Sequence, residues 1–169
     1  DFLESGDPDD SWSLPESEWE AYGLNYTSGT GGTPKGVVIH HRGAYLMAMG
    51  TVPAWGVPQH PVYLYTVPMF HCNGWGHAWL NALVAGSIIC VKKISAKIIF
   101  DAISEYRVTH FGGAPVVLGL LINAPEIDRK TFKHSVQVMT AGAPPPPAVL
   151  EKVEQLGMEI MQVYGLTEA

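Results

Sequence analysis

Five short runs rich in β-branched and aromatic residues recur along the chain, separated by segments with helical or loop character. The runs lie at residues 62–67, 87–91, 108–111, 136–140 and 159–163. Strands that alternate with helices are typical of parallel strands joined by crossover helices. The sequence therefore predicts a layered α/β fold, with a mostly parallel sheet and flanking helices.

Two of the intervening segments carry clear helical signals. The first has an apolar face at helical spacing, and Ser95 stands where an N-cap residue is expected. The second repeats this spacing before Gly157, which predicts a helix stop, and prolines 144–147 provide a rigid start for it. The apolar face of the first segment consists of Ile98, Ile99, Ala102, Ile103 and Tyr106.

Charge is distributed unevenly along the 169 residues. The formal net charge is −6, yet half of the 16 acidic residues precede Ala21. We expect residues 1–20 to form an exposed acidic connector and residues 21–169 to form part of a domain. No basic stripe with interleaved aromatic residues occurs, so the sequence argues against nucleic-acid binding.

The two cysteines, Cys72 and Cys90, provide no disulfide framework and fit a reducing compartment. The longest strongly apolar run, at 82–91, is too short to span a bilayer. The acidic start has no basic segment of the kind that opens a secretory signal. We therefore expect an intracellular protein, cytoplasmic or, as the alternative, peroxisomal.

A glycine-rich stretch at 26–36 reads Tyr-Thr-Ser-Gly-Thr-Gly-Gly-Thr-Pro-Lys-Gly. Glycines let backbone N–H groups approach phosphate oxygens, while hydroxyl groups and a lysine supply donors and charge. The stretch is not a Walker A loop, because Pro34 precedes Lys35 and Gly36 follows it. It predicts a phosphate-binding loop, with a tight turn between two strands as the alternative.

Four segments directly follow predicted strands, and they lie at 68–75, 112–115, 141–144 and 164–168. Open α/β sheets bind ligands beyond the carboxyl ends of their strands. If the strands are parallel, these four segments share one rim and can contact a single ligand.

Residues 27–36 resemble the signature of the acyl-adenylate-forming superfamily, Thr-Ser-Gly-Thr-Thr-Gly-x-Pro-Lys-Gly, which includes acyl-CoA synthetases, luciferases and adenylation domains of peptide synthetases. Only Gly31 departs from it, where the family usually has a second threonine. Residues 164–168, Tyr-Gly-Leu-Thr-Glu, are similar to a second family motif, Tyr-Gly-x-Thr-Glu. The resemblance runs from about residue 18 to the last residue and implies part of the large N-terminal domain of an acyl-CoA synthetase.

The resemblance also implies roles for individual residues. Catalysis would involve Lys35, His71, Thr167 and Glu168, and Mg²⁺ would be held by Glu168 and Thr27. An acid-binding pocket would be lined by His71, Trp75, Gly112 and Gly113. The nucleotide would contact Thr27, Ser28, Gly29, Thr30, Gly32, Lys35, Gly142, Ala143, Pro144, Tyr164, Gly165 and Thr167.

Taken without the resemblance, several of these residues have simpler interpretations. Tyr164 is compatible with packing at a strand end, and Glu168 with a solvated helix start. His71 is equally compatible with a core histidine, and Trp75 with a buried tryptophan. A zinc site at His71, Cys72 and His77 is disfavoured, because their spacing fits no standard zinc pattern.

The resemblance implies that MgATP converts a carboxylic acid to an acyl-adenylate, which then passes the acyl group to CoA. Residues 68–79 contain no acidic side chain, which favours a simple acid over an amino acid. The likeness is strongest to short- and medium-chain synthetases, such as methylmercaptopropionate-CoA ligases and plant acyl-activating enzymes, and it is compatible with a homo-oligomer of the full-length enzyme.

Family members continue beyond the Tyr-Gly-x-Thr-Glu motif with a ribose-binding aspartate, a hinge and a C-terminal domain. We therefore expect a fragment with little catalysis of its own. The alternative is a noncatalytic module that binds nucleotide or a partner.

Overall fold

A five-stranded parallel sheet lies at the centre of the computed structural model, which describes residues 3–11, 13–28 and 31–168. Its strands are β3 (Val62–Tyr65), β4 (Ser87–Cys90), β5 (His110–Gly112), β6 (Val136–Thr140) and β7 (Met158–Gln162). They are ordered β4-β3-β5-β6-β7, and every neighbouring pair is parallel. All five predicted strands are present, and the predicted parallel arrangement is confirmed.

Six helices accompany the strands in the described residues. They are α1 (His41–Trp55), α2 (Cys72–Trp75), α3 (His77–Leu83), α4 (Ala96–Tyr106), α5 (Pro115–Ile122) and α6 (Pro147–Gln155). A separate antiparallel pair, β1 (Ala21–Thr27) and β2 (Lys35–His40), precedes α1, and short 3₁₀ turns lie at Leu3–Ser5 and Glu126–Asp128. The sequence patterns predicted α4 and α6, whereas the β1–β2 pair and α1 were missed.

Both faces of the sheet are covered, because successive side chains of a strand point to opposite sides. One face supplies Leu64, Phe111 and Val138, which pack in one buried cluster with residues of α4, α5 and α6. The other face supplies Tyr63 and Tyr65, which pack with residues of α1 and α3. The fold is thus a sheet between two helical layers, as predicted.

The two predicted helices begin and end at the expected signals. The Ser95 hydroxyl caps α4 by accepting a hydrogen bond from the Ile98 amide at 3.3 Å. Gly157, with φ of +86°, turns the chain from α6 into β7. One detail of the prediction was wrong: Tyr106 does not belong to the buried face of α4 and is about half exposed, since it occupies the last position before the left-handed Arg107.

The acidic start is exposed at every described position from 4 to 20. It nevertheless touches the beginning of α1, because the Glu18 carbonyl accepts a hydrogen bond from the Arg42 amide at 2.8 Å. The two side chains also form an ion pair at 2.8 Å. Whether residue 20 is a domain boundary stays a prediction. None of the helices in the described ranges combines the length and hydrophobicity that a bilayer crossing requires.

Candidate functional site

The sheet has a topological switch point between β3 and β5. From β3 the chain moves outward to β4, then crosses back to β5 and continues outward on the other side to β6 and β7. Ligands of open α/β sheets bind in the crevice at such a point, beyond the carboxyl ends of the strands. The residues after β3 and the end of β5 are therefore the first place to look for a site.

A left-handed turn follows β3 at the switch point. It consists of the short segment α2 and Gly76. Five consecutive residues have positive φ, namely Cys72 (43°), Asn73 (45°), Gly74 (63°), Trp75 (58°) and Gly76 (66°). For residues with a side chain, the left-handed conformation costs about 1–2 kcal/mol each. Such backbone persists only where surrounding contacts fix it, and it is frequent at functional sites.

Contacts from two elements hold the turn in place. The Tyr65 hydroxyl donates a hydrogen bond to the Gly74 carbonyl at 3.0 Å. A Cβ at Gly74 would collide with that same hydroxyl, and a Cβ at Gly76 would collide with the side chain of Met47 in α1. Glycine at these two places lets β3 and α1 close on the turn.

The turn joins two segments of the rim. Cys72 Sγ lies 3.1 Å from the hydroxyl oxygen of Thr167, so the segment after β3 touches the segment after β7. On the other side, Trp75 packs beside Gly112 at the end of β5. A Cβ at Gly112 would lie 3.2 Å from Cε3 of Trp75 and 2.9 Å from a methyl carbon of Val67.

The structure thus brings together Trp75 and Gly112, two of the residues predicted for an acid pocket. Gly113 is buried next to them and donates its amide to the Met139 carbonyl of β6 at 2.8 Å. Their role toward an acid stays a prediction.

A buried polar layer beneath the turn was missed by the sequence reasoning. The Tyr63 hydroxyl is hydrogen-bonded to Nδ1 of His77 and also accepts the Gly112 amide at 3.1 Å. The Trp55 ring packs on His77 at 5.3 Å between centroids and on His110 at 5.0 Å. The alternation of tyrosines at 63 and 65 was the one available signal, since it places both on the same face of β3.

Burial keeps this layer uncharged. It lowers the pKa of His77 to about 4, with His110 nearby as a second cause, and it lowers the pKa of His110 to about 4 as well. Burial also raises the pKa of the Tyr63 phenol, to which neighbouring Tyr65 adds. Trp55 Nε1 and His110 Nε2 have no hydrogen-bond partner among the described residues.

The sequence left open whether His71 is a core histidine, and the structure shows that it is not. Its side chain is exposed at the rim, whereas His77 is 1% exposed. Within the described residues, no group of three or more His, Cys, Asp or Glu side chains is arranged to hold a metal ion. His71 and His77 therefore do not converge on a common ion.

The predicted nucleotide residues of the last two rim segments face outward. Tyr164 is 87% exposed, and Gly165 and Glu168 are exposed beside it. Residues 142–144 are also exposed, and Gly142, with φ of +95°, has open space where a Cβ would stand. Thr167 alone of this group is half-buried, through its contact with Cys72.

The glycine-rich stretch links the antiparallel strands β1 and β2. Thr27 pairs with Lys35 at the end of this hairpin, and Ser28 and Lys35 are exposed. Gly32 has open space around its Cα, whereas Gly29 and Thr30 lie outside the described residues. The stretch therefore connects two antiparallel strands, and Gly31 and Gly32 within it are exposed.

The hairpin is attached to the site at its other end. Gly23 of β1 lies against the Asn73 side chain of the left-handed turn, and the Tyr22 ring contacts Trp79 at 5.4 Å. In the described part of the chain, no hydrogen bond or ion pair connects Ser28 or Lys35 to the rim. The hairpin thus reaches the rim at its Gly23 end, whereas Lys35, at its other end, is not bonded to any described residue of the rim.

The sequence profile of the family described as AMP-binding enzyme matches residues 2–169. This chain belongs to that family. It is 52% identical over 168 residues to 2-methylpropanoate–CoA ligase CCL4 of Humulus lupulus and 50% identical over 169 residues to the peroxisomal acetate/butyrate–CoA ligase AAE7 of Arabidopsis thaliana. Each match covers 99% of this chain and 30% of the relative, so the chain spans about a third of the length of these relatives.

Two solved structures share the fold of this chain. The inhibitor-bound N-terminal domain of FACL13 from Mycobacterium tuberculosis superposes with a TM-score of 0.82 at 28% identity, over 98% of this chain and 42% of that domain. The o-succinylbenzoate CoA synthetase of Bacillus subtilis, in complex with ATP and magnesium ion, gives 0.80 at 24% identity, over 90% of this chain and 31% of that one. The predicted fold of an N-terminal domain is thereby confirmed.

Proposed function

We propose that this chain supplies the acid pocket and part of the adenylate site of an AMP-forming acid–CoA ligase for short- or medium-chain carboxylic acids. The observation that carries the proposal is the contact of Cys72 with Thr167. This contact joins the segment at 68–75, predicted to border the acid, to the segment at 164–168, predicted to bind the nucleotide. The names of the two curated relatives, both CoA ligases for small acids, agree with it.

The proposed reaction has two steps. A carboxylate oxygen of the acid attacks the α-phosphorus of ATP, forming a phosphorus–oxygen bond as pyrophosphate leaves. The sulfur of CoA then attacks the acyl carbon, forming a thioester as AMP leaves and the thiol proton is lost. Negative charge crowds the phosphates in the first step, so preorganised donors are the main contribution expected of the protein.

The side chains of the rim and of the hairpin loop fit these needs. Tyr164 presents an aromatic face that suits adenine, and Thr167 offers a hydroxyl for the α-phosphate. Lys35 and the open glycine backbone of the hairpin loop would meet the outer phosphates. CoA and a small carboxylic acid are the further partners of this proposal.

Magnesium fits the donor set that the chain offers. The carboxylate of Glu168 is exposed at the rim, and the Thr27 hydroxyl belongs to the phosphate loop. Both are oxygen donors of the kind that Mg²⁺ prefers. When bound, the ion would offset charge on the phosphates.

A small acid is favoured over an amino acid, because residues 68–79 contain no carboxylate that could meet an ammonium group. We place the protein inside the cell, in the cytoplasm or in the peroxisome, the latter because the Arabidopsis relative is named as peroxisomal. The second candidate is a noncatalytic nucleotide-binding module. It is favoured only by Gly31, which removes one hydroxyl from the phosphate loop.

The first test is a calorimetric titration of this chain with butanoyl-sulfamoyl adenosine, a nonhydrolysable acyl-adenylate analogue, after circular dichroism has verified folding. We expect saturable binding that Tyr164→Ala weakens about tenfold, as loss of a stacking aromatic would. Ile127→Ala is the matched control, because Ile127 is 92% exposed on the 3₁₀ turn at 126–128, which follows α5. A folded chain that binds neither the analogue nor AMP would contradict the proposal.

A second test separates ligase from binding module. A full-length protein that carries this chain is assayed for pyrophosphate release dependent on acetate, butanoate or octanoate, followed by thioester formation with CoA. Acid-dependent release supports the ligase, whereas binding without release supports the module.

A further inference from the structure

The pairing between β3 and β5 stops one residue before β5 ends. Backbone register joins Tyr63 to His110 and Leu64 to Phe111, but Gly112 has no backbone partner on β3. On its other side Gly112 still pairs with Met139 of β6. The two central strands therefore separate at the switch point, where the crevice begins.

Two side chains replace the missing backbone partners. The Tyr63 hydroxyl accepts the Gly112 amide at 3.1 Å, and the Thr66 hydroxyl donates to the Gly112 carbonyl. All of these groups are buried. Buried backbone groups require partners, so the two hydroxyls fix the height and direction of this peptide.

His77 fixes the Tyr63 hydroxyl in turn. That oxygen accepts from Gly112, so its own proton is available for His77 Nδ1. With the phenol proton assigned to this bond, Nδ1 is the acceptor and the neutral imidazole carries its own proton on Nε2. Burial, which lowers the pKa of His77 to about 4, keeps the ring neutral near pH 7.

Three side chains surround the Cα of Gly112. A Cβ there would lie 2.9 Å from Val67, 3.1 Å from the Tyr63 hydroxyl and 3.2 Å from Trp75. Trp75, proposed as a wall of the acid pocket, therefore lies next to the peptide that the Tyr63 hydroxyl holds. We expect that loss of this hydroxyl would shift the peptide and, with it, the packing of Trp75.

We infer that Tyr63, oriented by His77, is a positioning residue that sets the acid pocket by clamping the Gly112 peptide together with Thr66. The inference rests on the proposed function, since the pocket is the acid site of that proposal. It assigns a functional consequence to side chains in the buried layer of the sheet.

The test is Tyr63→Phe in this chain, with two ligands. The substitution removes the hydroxyl and keeps the ring that packs on Trp55. We expect affinity for butanoyl-sulfamoyl adenosine to fall about tenfold, the effect of one ordinary hydrogen bond. Affinity for AMP, which has no acyl group, should stay within about twofold. Tyr106→Phe, on the exposed end of α4, is the matched control.

Amide hydrogen exchange gives a readout that does not depend on binding. We expect the Gly112 amide to exchange at least about tenfold faster in Tyr63→Phe, while amides of β6 keep their protection. His77→Asn should restore most of the analogue affinity that His77→Leu loses, because the Asn oxygen can accept the phenol proton near the position of Nδ1.

The outcomes separate the inference from the proposed function. If the parent chain binds neither ligand, the proposed function fails and the inference fails with it. If the parent binds both and Tyr63→Phe weakens both equally, or neither, the positioning role alone is overturned. If Tyr63→Phe does not fold, the same measurements are made on Thr66→Val, which removes the other side-chain bond to Gly112. If neither variant folds, the two hydroxyls serve stability only, and the positioning role is overturned.

Discussion

Single side chains of the candidate site are of two kinds. Some are exposed at the rim, and others are buried beneath the left-handed turn, where they form hydrogen bonds with one another and with the backbone. Tyr164 and Glu168 are of the first kind, and their exposure in the described residues agrees with a role toward something bound. Tyr63 and His77 are of the second kind. At this scale the sequence motifs pointed to the first kind, whose roles stay predictions, and gave no sign of the second.

Glu168→Gln tests the predicted magnesium ligand. The amide keeps the shape of the side chain but removes its charge, so the Mg²⁺ concentration needed for half-maximal pyrophosphate release should rise about tenfold or more. The measurement is an Mg²⁺ titration of a full-length protein that carries this chain. Glu151→Gln, an exposed carboxylate on α6, is the control. An unaltered Mg²⁺ dependence would remove Glu168 from the site.

Lys35→Ala tests the predicted contact of the hairpin loop with the phosphates. Because Lys35 is exposed, the substitution should leave the free energy of unfolding within about 0.5 kcal/mol of the parent. The KM for MgATP or the rate of pyrophosphate release should change about tenfold or more. Lys152→Ala on α6 is the control. Kinetics identical to the parent would refute the role of Lys35.

Among the elements, the left-handed turn after β3, like the β1–β2 pair and α1, was not predicted by any sequence pattern. Its two glycines are visible in the sequence, but the residues that require them, Tyr65 and Met47, come from β3 and α1. Helix α4 is the opposite case, because its cap and its apolar spacing are local signals. The contrast follows from where the decisive contacts lie: within the element for α4, and between elements for the turn.

Gly74→Ala tests the turn. The left-handed backbone and the collision with the Tyr65 hydroxyl should together lower the free energy of unfolding by at least about 2 kcal/mol. Urea unfolding of this chain measures it. Gly50→Ala in α1 is the matched control, because a Cβ there meets no atom within 4 Å. A loss at Gly74 no greater than that at Gly50 would show that the turn is not fixed as described.

At the scale of the whole molecule, stability should depend on pH through the buried histidines. His77 has a pKa of about 4 when folded, against about 6.5 in an unfolded chain, so between these values the unfolded state binds more protons. Stability contributed by the neutral ring is therefore complete above about pH 6.5 and is lost as pH falls toward 4. His110 and Tyr63 are titratable groups with which this ring interacts, and Tyr65 in turn interacts with Tyr63.

We expect His77 alone to account for a loss of about 2 kcal/mol between about pH 7 and about pH 5. Urea unfolding at the two pH values measures it, and the His77→Asn chain should lose correspondingly less. The carboxylates of Asp101 and Glu159, whose pKa values are lowered by hydrogen-bond partners, lose their contribution only at more acidic pH. Equal losses in parent and variant would contradict the burial of a neutral His77.

The sequence by itself determined the five strands of the parallel sheet in their order along the chain, the helices α4 and α6 with their end signals, and the family motifs. These depend on local spacing and composition, which the chain carries in linear form. The end of β3 differs from the prediction: the strand stops at Tyr65, and Thr66 after it bonds to the Gly112 carbonyl through its side chain.

Only the tertiary structure decided how β3 and β5 separate, which histidine is buried and which glycines lie against side chains. Cys72 and Thr167 are 95 residues apart in the chain, and Thr66 and Gly112 are 46 apart. Such contacts result from sheet order and packing, in which each residue depends on partners distant in sequence. The motifs of the AMP-binding enzyme family could therefore be read from the chain, whereas the support beneath them required the fold.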